Sequence, residues 1–132
     1  MTAKLRLRNV KQLLVLVLLS GWLATAADLS GRWSAGKANY FTFQVKGDHF
    51  VGMIEAPERS YKIVDGTLHG KEISFFVLHD GQDDPEVIAN GGKAFRNTAA
   101  GTVESDEITI SGAREGTGQR PYKIVLKRMP SQ

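Results

Sequence analysis

The sequence predicts an all-β fold: a single antiparallel up-and-down meander of about eight strands, closed into a small barrel and preceded by a secretory signal peptide. Two observations carry the barrel. From Asp28 onward, short β-rich runs alternate with Gly/Asp/Asn/Ser turns, and no helical periodicity of useful length appears. Three of those turns are two residues long, which fixes the register of the strands they join. A third observation, the basic and then apolar head of the chain, sets an export segment apart from the domain.

That head occupies residues 1–26. Lys4, Arg6, Arg8 and Lys11 form a basic region, Leu13 to Leu19 with Trp22 and Leu23 an apolar stretch, and Ala24-Thr25-Ala26 a small-x-small cleavage site. Ser20 and Gly21 break the stretch, which falls short of the roughly 20 residues that span a bilayer. Cleavage is therefore expected, with retention as an anchor the alternative. No cysteine follows the apolar run to carry a lipid, and Arg6 and Arg8 are not adjacent, against the twin-arginine route. Residues 27–132 are then the domain, exported to the periplasm or beyond, with no stable membrane anchor once cleaved.

Charge changes sign with that division. The whole chain carries a formal +3, but without the four head cations 13 Lys+Arg face 14 Asp+Glu. The basic balance belongs to the targeting segment and gives no reason to expect a nucleic-acid partner. With no cysteine in the chain, the domain must hold together by burial alone.

Each strand follows from its neighbours. Gly31 to Ser34 is the first. Phe41 to Lys46, turn Gly47-Asp48 and His49 to Glu55 make a hairpin pairing Val45 with Phe50, Phe43 with Gly52 and Phe41 with Ile54. Val64 to His69, turn Gly70-Lys71 and Glu72 to Val77 pair Leu68 with Ile73, Gly66 with Phe75 and Val64 with Val77. Ala99 to Glu104, turn Ser105-Asp106 and Glu107 to Gly112 pair Val103 with Ile108, Gly101 with Ile110 and Ala99 with Gly112. Pro121 to Arg128 is the last strand. One face of every hairpin is apolar or glycine; the other pairs Lys46 with His49, Thr67 with Ser74 and Thr102 with Thr109, which suits water. A slip of one residue would turn an entire apolar face outward. Eight such strands close readily into a barrel without edges, and a two-layer sheet is the architectural alternative.

The three tight turns share one end. The other collects Ser34 to Asn39, Ala56 to Ser60, Asp80 to Gly92 and Glu115 to Arg120, so that end is expected to be the open mouth. Leu29-Ser30-Gly31-Arg32-Trp33 resembles the opening strand of the calycin group (lipocalins, avidins and fatty-acid-binding proteins), and the chain is also similar to short secreted bacterial barrel domains of unassigned function. The calycin resemblance implies a Gly-x-Trp strand at the closed end with a cation from the last strand over the tryptophan. Inward parity through Ile124 and Leu126 brings Arg128 to that place, so Gly31, Trp33 and Arg128 form the expected signature, with a cation–π contact of roughly 0.5–2 kcal/mol.

Inward parity toward the mouth reaches His79, Asn97, Arg114 and Tyr122. Tyr61 joins them if a bulge near Asp65 shifts the parity; otherwise Lys62 points in. Polar groups converging on an apolar concavity are what a small-ligand site requires, although strand ends that rise into solvent are polar as well. The acidic residues Asp80, Asp83, Asp84 and Glu86 lack EF-hand spacing and, with Pro85 and the nearby glycines, read as a solvated loop. His49, His69 and His79 share no zinc-like spacing, so neither a metal nor another cofactor is expected. No Cys nucleophile, G-x-S-x-G elbow or phosphate-binding loop is present. His79 beside Asp80 is the one acid–base pair available, and neighbouring residues on a strand point to opposite faces. The expectation is a non-catalytic barrel binding a small, partly apolar ligand. The alternative is an envelope module engaging a protein or polysaccharide through its outer face, where parity places Val51, Met53, Phe76 and Leu78.

Overall fold

Pleat alternation acts first, and tight turns lock it. The computed structural model describes residues 27–116 and 121–131, so the expected signal peptide lies outside the described residues. The elements are β1 (Arg32–Gly36), β2 (Asn39–Lys46), β3 (His49–Glu55), β4 (Ser60–His69), β5 (Glu72–His79), the short helix α1 (Pro85–Ala89), β6 (Phe95–Glu104), β7 (Glu107–Arg114) and β8 (Tyr122–Arg128). Every strand pairs antiparallel with the next, and β1 pairs with β8, so the meander is a closed barrel. That architecture is compatible with the calycin group.

The first and third hairpins pair in the expected register throughout. The second does so only near its turn, where Leu68 faces Ile73 and Thr67 faces Ser74. Beyond that a bulge intervenes: Asp65 takes a positive φ of 51°, and Ile63, not Val64, faces Val77. Asp65 and Gly66 together stand opposite Phe75; on its other side Gly66 pairs with Phe50 of β3, where a β-carbon would collide with the Phe50 ring. The extra residue re-aims the upper half of β4, turning Ile63 and Tyr61 inward and Lys62 out.

Other expectations also need correction. Residues 34–39 are not a long connection: β1 runs on to Gly36, and Lys37 and Ala38 make a tight turn with φ of 53° and 59°. Val45 sits so near its turn that it is 44 % exposed despite its inward parity. Phe76 is no bare outer patch, because the Arg96 guanidinium lies 4.0 Å over its ring, anchored in turn by Glu115 and Asp65.

Phe43, Phe50 and Phe75 fill the middle of the barrel, tilted edge to face with centroids 5.5–6.1 Å apart. Such pairs add about 0.5–1.5 kcal/mol each to what burial alone supplies. Below them lies the closed end. Trp33 is fully buried, and its indole N–H donates to the Leu29 carbonyl at 3.1 Å. The Arg128 guanidinium lies 4.2 Å over the indole, as parity predicts. It also donates to the carbonyls of Ser30, Asp28 and Ser105 and to the Asp106 carboxylate, tying two loops across the base.

Candidate functional site

Above the phenylalanine layer the wall keeps its parity but the side chains shrink. Ala35 on β1 and Ala99 on β6 point in where larger residues would meet. Gly112 on β7 yields its place to the Tyr122 phenol, which lies over the bare backbone and lines the cavity. The result is a cavity of about 290 Å³ opening toward the mouth. Its apolar surface comes from Phe41, Ile54, Phe75, Val77, Ala99 and Ile110, and its polar groups are Asn39, Tyr61, His79, Asn97 and Tyr122.

His79 organises this end. It is the last residue of β5, it is buried, and its ring lies among Tyr61 at 4.6 Å and Phe95 at 4.6 Å, the latter parallel within 7°. Its Nδ1 stands 3.0 Å from Asp84 Oδ2 and 3.5 Å from Glu86 Oε2. Asp84 is itself held twice. It is the N-cap of α1, with Oδ1 accepting the Glu86 backbone N–H at 2.9 Å and Pro85 opening the first turn. Burial pushes its carboxyl up, but the Glu86 N–H, His79 and Arg59 together outweigh burial and hold it below the ordinary Asp value. The ionised carboxylate accepts, so Nδ1 of His79 carries the proton. On the far side of the ring, Nε2 faces the Asn97 amide nitrogen, 3.2 Å away. Arg59, from the β3–β4 connection, donates to the Asp83 carbonyl at 3.1 Å and stands 3.9 Å from Asp84, fastening α1 across the mouth.

Of the five residues expected here, Tyr61, His79, Asn97 and Tyr122 line the cavity. Arg114 does not; its guanidinium lies 3.7 Å over the Phe95 ring, in the wall. The acidic segment is not simply a solvated loop, since Asp84 is only 3 % exposed and caps a helix. Asp80, which strand alternation already turns away from His79, is exposed, and the carboxylate that meets the ring is Asp84. Asp84, Phe95 and Asn39 are the members that sequence reasoning missed. For Asp84 a signal existed: Asp-Pro-Glu is a helix start, with a capping side chain, proline at the first helical position and an acid in the first turn. Among the described residues, no group of three or more His, Asp or Glu could hold a metal ion. His49 and His69 are exposed near tight turns at the other end.

Both rim phenols are shifted upward. Burial raises Tyr61 first, then Asp84, with Arg59 opposing; burial raises Tyr122 first, then Glu86. Both therefore remain O–H donors at neutral pH. No family model, curated protein or solved structure matches this chain.

Proposed function

We propose that this protein is an exported, non-catalytic barrel of calycin-like kind that binds a small, partly apolar molecule in the cavity at its open end. One observation carries the reading: Trp33 and Arg128 fill the interior at one end, while the other end is hollow, with an apolar lining beneath a ring of polar groups. That division is usual for a ligand pocket, and about 290 Å³ lies at the small end of the usual range. Binding is favoured over catalysis because both nitrogens of His79 are engaged, by Asp84 and by Asn97. An imidazole so committed is a wall element rather than a base presented to a substrate. Export rests on residues 1–26.

The test is saturable uptake of prodan, a neutral naphthalene fluorophore, by the purified protein. One-to-one binding is expected in the wild type and none in Ala99→Phe, whose ring would occupy the cavity. Ala35→Leu, filling the same space from β1, guards against a folding defect in the first variant. Uptake that is non-saturable, or unchanged in both variants, overturns the reading. The envelope-module reading draws on Val45, Val51 and Met53, which expose apolar surface along β2 and β3. Concentration-dependent sedimentation of the wild type, abolished by Val51→Lys, would favour it.

A further inference from the structure

We propose that the cavity takes an uncharged ligand, anchored through one neutral hydroxyl or carbonyl, and turns away the carboxylate that shares its apolar body. The proposal rests on the binding reading above and names the chemistry of the occupant.

The argument is electrostatic. A carboxylate leaving water must find a cation or several donors to replace its hydration. Among the described residues that line the cavity there is no lysine or arginine. Two carboxylates stand close behind the wall: Asp84 and Glu86 lie 3.0 and 3.5 Å from the imidazole that forms part of it. Among the described residues, the guanidiniums at this end have partners of their own: Arg59 the Asp83 carbonyl and Asp84, Arg96 Glu115 and Asp65, and Arg114 the Phe95 ring. After burial, Asp84 raises the Tyr61 phenol against an opposing Arg59, and Glu86 raises Tyr122.

A cation is served no better. Asp84 is buried behind His79, one oxygen taken by the Glu86 N–H and the other by the imidazole. It neutralises the site's own network and does not present itself to a guest. What faces the cavity is neutral and two-handed. The Tyr61 and Tyr122 hydroxyls both donate and accept, and Asn97, its amide nitrogen facing His79, keeps its carbonyl and an N–H. An alcohol, ketone or amide can satisfy such groups without a counter-ion. At about 30 Å³ per water, the space equals roughly ten waters, enough for a fused bicyclic body.

Four compounds sharing one naphthalene body test this by displacing prodan from the purified protein at pH 7: 2-naphthalenemethanol, 2-naphthoate, 2-naphthylmethylammonium and 2-ethylnaphthalene. The alcohol should bind at least tenfold more tightly than either ion. Asn97→Ala should weaken the alcohol at least threefold and leave the hydrocarbon unchanged, which separates recognition of the head from simple partitioning. Naphthoate equal to or tighter than the alcohol overturns the proposal while the cavity remains a binding site. An ammonium that binds most tightly overturns it in favour of a cation site. Equal losses of alcohol and hydrocarbon in Asn97→Ala overturn the anchoring role. If prodan itself does not bind, the binding reading falls and takes this proposal with it.

Discussion

The two ends of this barrel use one construction rule to opposite effect. At the closed end, inward parity delivers Trp33 and Arg128, large groups that stack and leave no space, and the guanidinium is satisfied mainly by backbone carbonyls that do not move. At the open end the same parity delivers Ala35 and Ala99 beneath the ring of polar groups, and the space persists. There the polar groups are satisfied by one another, through side chains on β5, β6 and the cap of α1. The difference teaches that stability and vacancy are placed separately along the same strands: substitutions at the base should cost folding, and those at the mouth should cost much less.

Three measurements can break or sharpen that contrast. Removing the plug is the severest. Trp33→Ala deletes a fully buried indole, and should cost about 3–5 kcal/mol in urea unfolding followed by far-ultraviolet circular dichroism. Arg128→Met retains much of the apolar stem but removes the charge over the indole and its hydrogen bonds. A loss of about 1–3 kcal/mol is expected by the same assay. At the mouth, Asp84→Asn preserves a capping oxygen and should cost only about 1 kcal/mol at pH 7. Its signature is in acid. The native Asp84 carboxyl lies below its ordinary value, so its ionised form stabilises the fold above the unfolded value of about 3.9. That stabilisation is lost as pH falls through about 4 and then through the lower native value. Stability measured from pH 6 to pH 2.5 should therefore fall less steeply in Asp84→Asn than in the wild type. A mouth variant as damaging as Trp33→Ala would erase the contrast.

Much of this was legible in the chain because strand periodicity and two-residue turns are local properties. The partners of Phe43, Ile108 and Ile110 follow from counting alone, and the meeting of Arg128 with Trp33 from parity joined to the calycin resemblance. What escaped depended on backbone conformations that residue types do not advertise. Lys37 and Ala38 are not residues that favour positive φ, so nothing marked the tight turn between β1 and β2. The Asp65 bulge could be posed only as a condition on Tyr61, since either parity left one awkward residue inside. The His79–Asp84 pair spans a loop whose path no periodicity describes, and the helix-start signal that would have exposed it was submerged in a run of acidic residues. The cavity was the hardest to foresee, because it depends on how much space Ala35 and Ala99 leave together.

The seam between β1 and β8 carries a consequence of its own. The two strands meet through Trp33 with Arg128 and Ser34 with Lys127, at the base. Toward the mouth their pairing stops, although β1 continues to Gly36 and β8 begins at Tyr122. Ala35, Tyr122 and Ile124, which border that unlaced stretch, all line the cavity. The wall thus resembles a collar buttoned at the bottom. Because the button joins strands almost a hundred residues apart in the chain, it closes the longest loop of any pairing in the barrel and carries the largest loop-closure cost. Above it, the edges of the collar meet through side chains such as Ala35 and Ile124, packed on the core, and not through a ladder.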